Sequence, residues 1–103
     1  MDLYFFEEKI VDELQGAMCY AKTALEFKAM SQSFSKSFLE MSATELQHAQ
    51  TLYRLFDDYY KTISKPYEEP PQEWIDVKDH IIDAYNDLSV KVKAMHELYN
   101  KSE

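Results

Sequence analysis

Between residues 34 and 63, apolar side chains recur at helical spacing: Phe34, Phe38, Met41, Leu52, Phe56, Tyr59 and Ile63. At about 100° per residue they form one stripe, whose centre is held by Glu45 with His48 beside it. A helix from about Leu3 to Met30 precedes it, with Leu3, Phe6, Ile10, Leu14, Ala17, Ala21, Ala24 and Leu25 on its apolar face. Between the two, Ser31–Gln32–Ser33 is a polar break with serines suited to an N-cap. So short a connection predicts an antiparallel hairpin of two long helices over about 3–63. The stretch "SKPYEEPPQE" then ends the helix, because proline lacks an amide donor and restricts the residue before it. Residues 64–72 read as a connector inside one domain, 1–103. A third helix over about 73–100 carries Trp74, Ile81, Leu88 and Met95, alternating with Tyr85, Val92 and Tyr99 in a seven-residue, coiled-coil-like repeat.

Composition sharpens this into an all-α protein. One Gly and three Pro stand among 103 residues rich in helix formers, enough chain for one modest core. The net charge of −8 argues against nucleic acid and anionic membranes as partners, since both demand a basic surface. The single Cys19 allows no internal disulfide and no cysteine-only metal site; beside the small residues of the first helix, it is expected to be a buried, inert thiol. No apolar run approaches the ~18 residues of a membrane span, and no signal-peptide pattern opens the chain, so a cytoplasmic protein is expected.

The chemistry lies in the interrupted stripe. An ionised glutamate on an apolar face costs several kcal/mol unless it is paired or bound to a metal. Glu45 and His48, three residues apart, share one face and can reach a single point, offering a carboxylate oxygen and an imidazole nitrogen. The first helix repeats the anomaly with Glu13, between Ile10 and Ala17, whereas Glu7, Glu8, Asp12 and Glu26 lie mainly off that face and read as solvated. A reversal near Gln32 brings Glu13 to within about one helical turn of Glu45 and His48 in height, at ~1.5 Å per residue. Gly16, Ala17 and Ala21 would let the second backbone approach closely. The alternative is a metal-free pair in which His48 hydrogen-bonds Glu45. His80 and His96 belong to no E-x-x-H and lie off the third helix's seam. Asp76, Asp79, Asp83 and Asp87 fall mostly outside that seam too, as a solvated face.

Glu13, Tyr20 and "ATELQHA" around Glu45 and His48 resemble the first half of a ferritin-like domain, especially one of rubrerythrin type. The resemblance spans about residues 3–60. It implies a carboxylate-bridged di-iron centre, with Glu13 a terminal ligand, Glu45 a bridging ligand, His48 the imidazole ligand and Tyr20 hydrogen-bonding near the site. A complete ferritin-like domain has a second glutamate helix and a second E-x-x-H helix; the third helix here has neither, so one chain holds half a site. The half-length hairpin is similar to encapsulated ferritins, where two chains share the di-iron centre. One completion is thus a homodimer, or a higher homo-oligomer, that builds a four-helix bundle from two hairpins. The other packs the third helix on its own hairpin, leaving a degenerate or mononuclear site.

The expectation is a ferritin-like metal-binding protein in which Glu13, Glu45 and His48 are both ligands and catalytic residues at a homodimer interface. Iron is the expected metal, with manganese or zinc as substitutes, and the chemistry is oxidation of Fe(II) by O₂ or peroxide. The rival is a non-enzymatic helical assembly or adaptor protein that keeps the hairpin without redox chemistry. A metallohydrolase is a weaker third reading, because no H-E-x-x-H or third histidine ligand is evident.

Overall fold

The computed structural model describes residues 2–101. It is an elongated body of three helices, 56 × 19 × 15 Å in extent: α1 (Leu3–Phe27), α2 (Gln32–Ser64) and α3 (Gln72–Lys101). Each boundary has a local cause. Asp2 caps α1 by accepting the Tyr4 amide at 2.9 Å. At the far end, the Phe27 carbonyl takes the amides of Met30 and Ser31, closing the helix three residues before the expected Met30. Ser31 caps α2 by accepting the Phe34 amide at 3.2 Å, a common use of a serine hydroxyl on otherwise unpaired first-turn donors. The Pro71 carbonyl opens α3 by accepting the amides of Trp74 and Ile75. No helix among the described residues is long and apolar enough to cross a membrane.

The hairpin is held by one continuous apolar seam. Phe6, Ile10, Leu14 and Ala17 of α1 are buried against Leu46, Ala49, Phe56 and Tyr60 of α2, with Val77, Ile81 and Val92 of α3 closing the third side. Each large side chain removed from water there contributes about 1.5–3 kcal/mol. The rings of Phe6 and Phe56 lie 5.8 Å apart, and those of Tyr53 and Tyr85 lie 4.3 Å apart, tying α1 to α2 and α2 to α3.

Helix α3 runs along the back of this hairpin. It is tied to α1 by Tyr4 to Glu73 (2.7 Å), by His80 to Glu7 (3.3 Å), and by Lys28, which bonds the Tyr99 carbonyl and sits 4.4 Å from the Tyr99 ring. Glu7 and Glu13 point about 120° apart around α1 at 100° per residue, so α3 leaves the Glu13 side open. Glu7 is therefore half-buried and paired rather than solvated. The seven-residue seam is buried at Ile81, Val92 and Tyr99 and half-buried at Trp74, Tyr85, Leu88 and Met95. Val77 and Ser89 join it as buried residues that the repeat did not include.

Three expectations change. The first part of the α2 stripe is not core: Phe34 and Met41 are exposed and the buried face there turns toward Ser35, Ser42, Leu46 and Ala49, while farther along Phe56 is buried and Leu52, Tyr59 and Ile63 pack against the core. Both neighbouring helices lie on that side, and two fully buried serines hide it from a hydrophobic pattern. Cys19 is exposed, because two residues from Ala17 and from Ala21 is about 200° around the helix from either. His96 sits half-buried between helices rather than off them, with its Nε2 2.8 Å from Ser42 Oγ.

That serine settles the histidine's tautomer. Ser42 has one hydroxyl hydrogen and spends it on the Ala17 carbonyl at 2.6 Å, so the His96 contact requires the ring to donate from Nε2–H. Tyr99 does the same one turn on, donating to Ser35 Oγ at 2.7 Å while Ser35 donates to the Gln32 carbonyl. Burial pushes the His96 ring below its ordinary value of 6.5, favouring the neutral form. The unfolded chain therefore takes up the proton first as pH falls. The stabilisation is complete above about pH 6.5 and is lost between there and the lower folded value. Urea unfolding of the metal-free chain across that range should show stability falling with acid, and His96→Gln should flatten this part of the slope.

Candidate metal centre

The register of α1 against α2 decides what faces what. Ala17 lies at Ser42, Tyr20 at Phe38 and Phe27 at Phe34. In the same register, Glu13 falls between Glu45 and His48. Ligand atoms of these three side chains all lie within 4.8 Å of one another. His48 presents Nδ1 to both carboxylates, 3.5 Å from Glu13 Oε2 and 3.8 Å from Glu45 Oε2.

The environment is uneven. Glu13 and Glu45 are half-buried, with 28% and 29% of their side chains exposed, while His48 is 56% exposed. Glu45 is thus withdrawn from solvent as expected, but His48 stands at the rim of an open face rather than inside a closed bundle. Glu13 Oε2 is buried and has no hydrogen-bond partner. A buried carboxylate oxygen without a donor is costly, and a bound cation removes that cost directly. Two carboxylates and an imidazole suit a first-row divalent metal better than calcium or magnesium, which prefer all-oxygen sites. A neutral His48 with its proton on Nε2 would turn the Nδ1 lone pair toward such an ion.

The one glycine of the chain borders Glu45. Gly16 faces Glu45 across the hairpin: a Cβ built on this glycine would stand 3.7 Å from the Glu45 carboxyl carbon, an ordinary contact. The absence of a side chain leaves the carboxylate room to swing. Tyr20 stacks on Phe38, with ring centroids 6.1 Å apart. It also lines an open groove of about 420 Å³ with Ser37, Glu40, Met41, Thr44 and Glu45. Sequence reasoning had not placed Gly16 against Glu45 or found this groove; the single glycine of the chain at the height of the ligands was the available signal for the former.

His80 and His96 stay apart from this cluster, each engaged on the α3 side with Glu7 and Ser42. Among the described residues no other group of three metal-ligating side chains comes together. The third helix adds no ligand.

The rubrerythrin family model matches residues 5–103. No curated protein and no solved structure matches the chain. With all but the first four residues inside the family match, and the Glu–Glu–His cluster on a helical hairpin, the chain belongs to the rubrerythrin family of ferritin-like proteins.

Proposed function

We propose that Glu13, Glu45 and His48 bind iron as one half of a di-iron centre, that a second copy of the chain supplies the other half, and that the bound Fe(II) is oxidised by O₂ or peroxide. The observation that carries this is the buried Glu13 Oε2, which accepts no hydrogen bond and has His48 Nδ1 3.5 Å away, set among ligand atoms that all lie within 4.8 Å of one another. Iron held by Glu13, Glu45 and His48 would supply the redox chemistry, each Fe(II) giving one electron, so that two electrons with two protons from water would convert O₂ to hydrogen peroxide or hydrogen peroxide to water. Family membership supports iron over other ions. Manganese and zinc remain competitors for the same donors.

The chain's own residues have separate tasks. Glu13 offers the site its buried Oε2. Glu45, facing the bare Gly16, would hold the metal with a carboxylate that has room to move. Exposed His48 sets the open edge, where oxidant and iron enter. Three protein ligands are too few for two irons, and the ligand face carries exposed Phe5, Phe34, Met41 and Leu55. An isologous contact covers those apolar groups and doubles the ligand set in one step. The same exposed groups favour the second reading, a metal-free helical adaptor, which metal analysis of protein purified without chelators separates at once.

Four outcomes follow. Glu45→Ala and His48→Ala should each abolish Fe(II) oxidation, followed by ferric absorbance, while the helical circular dichroism stays; Glu26→Ala should change neither. Metal-free Glu45→Ala should be no less stable than the unchanged chain, since it sheds a half-buried charge. Gly16→Ala should raise metal-free stability by up to about 1 kcal/mol through helix propensity and keep iron affinity, whereas Gly16→Leu should weaken iron binding by displacing the Glu45 carboxylate, as calorimetric titration would report. Light scattering at low protein concentration should show Fe(II) shifting the chain toward a dimer, because ligands from two copies couple occupancy to association.

A further inference from the structure

The outer edge of α2 carries a charge pattern that the metal site does not use. Lys36 and Glu40 precede position 47 by eleven and seven residues, and Arg54 and Asp58 follow it by seven and eleven. At 100° per residue the four lie within about 40° of one another, along one edge of the helix. All four are exposed. Each neighbouring pair has the four-residue spacing that permits an ion pair within the helix, yet neither Lys36–Glu40 nor Arg54–Asp58 forms one, while Lys61–Asp57 on the same helix does, at 2.8 Å. The signs run plus, minus, plus, minus, so the edge matches itself when reversed. The centre of that reversal falls between Glu45 and His48.

The shape of the open face has the same sense. Leu55 protrudes, 53% exposed, and Phe5 at 43% stands at the same end of the hairpin, where Phe6 meets Phe56. The groove walled by Ser37, Glu40, Met41 and Tyr20 lies at the other end. Leu55 is eight residues past position 47. Its mirror position, 39, falls among the α2 residues of the groove wall. Two copies running in the same direction would set protrusion against protrusion and groove against groove. Reversed copies set each protrusion against a groove.

Resting on the reading of a site shared by two copies, we infer that the second copy docks on this face in reverse, about a two-fold axis perpendicular to the helices at position 47. Glu40 of each copy then pairs with Arg54 of the other, Lys36 pairs with Asp58, and Leu55 enters the opposite groove. Each pair occurs twice in an isologous contact. The same axis sets Glu45 of one copy level with His48 of the other, so the register that matches the charges also gathers the ligands.

Sedimentation equilibrium of the full chain with Fe(II), under anaerobic conditions, tests the register by charge exchange. Arg54→Glu and Glu40→Arg should each raise the dimer dissociation constant roughly tenfold or more, since like charges then face each other twice. Combining the two should recover most of the loss, because the pair is re-formed with its signs exchanged. Lys93→Glu, which makes the same charge change as Arg54→Glu on exposed α3, should leave the constant unchanged and so exclude a net-charge effect. Single variants that associate like the unchanged chain, or a double variant no better than the singles, would overturn the reversed register and leave the shared site standing. An unchanged chain that binds iron and stays monomeric would overturn the shared site, and the register with it.

Discussion

Everything at the candidate site depends on how closely, and in what register, α1 and α2 approach. The contact that sets both is Ser42 Oγ on the Ala17 carbonyl at 2.6 Å, between two residues with no exposed surface. A side chain reaching a backbone carbonyl of a neighbouring helix requires a near approach of the two axes, which Gly16, Ala17 and Ala21 permit. A leucine at Ala17 would push α2 away and carry Glu45 and His48 beyond reach of Glu13. The aromatic contacts at both ends, Phe6 with Phe56 and Phe27 with Phe34, then hold the register over the full length of α1. A slip of one residue would rotate the ligands by about 100° relative to each other and dissolve the cluster.

The cluster sits against the general tendency of the fold. Elsewhere buried polar groups are satisfied: Ser35, Ser42, Tyr99 and His96 form short chains ending on backbone carbonyls. Among the described residues Glu13 Oε2 is the buried side-chain oxygen that accepts no hydrogen bond. The contrast gives the exception meaning, because this same core readily supplies hydroxyl donors where they are needed. Ser42 and Ser35 lie on α2 about one and three turns before Glu45, yet neither is directed to the carboxylate. A group that must accept a metal ion cannot also be saturated with hydrogen bonds.

The sequence was legible where periodicity and chemistry coincided. Three helices, the hairpin and the convergence of Glu13, Glu45 and His48 all follow from spacing, because burial of apolar residues and helical rise fix relative height to within a turn. The facing direction of α2 was less legible. Phe34 and Met41 read as core because they are large and apolar, whereas the face toward α1 and α3 is made with Ser35, Ser42 and Ala49. Close helix packing selects for small residues, and small polar residues look like surface in any hydrophobic pattern. His96 read as lying off the seam for the same reason: its partner is a serine and its position is an interhelical hydrogen bond rather than a motif. Cys19 was misplaced by its neighbours in sequence, when those neighbours in fact point to the opposite side of α1.

The position of α3 follows from its composition. Around the height of Glu13 its seam offers Ile81, Leu88 and Val92, which cannot ligate a metal or donate to a carboxylate, and Tyr85, whose ring is stacked on Tyr53 with centroids 4.3 Å apart. Laid over the ligand face, that seam would strip water from Glu13 and Glu45 and return at most one phenol donor to two charges, a loss of several kcal/mol. Laid on the back, it covers Leu14 and Ala17 and meets Ser42 through His96, with Asp76, Asp79, Asp83 and Asp87 left in solvent. The lack of ligands on the third helix and the open face at the metal cluster are therefore one fact seen from two sides. A helix that brought ligands could have closed the site within the chain; this one stabilises the hairpin from behind and leaves the cluster facing outward.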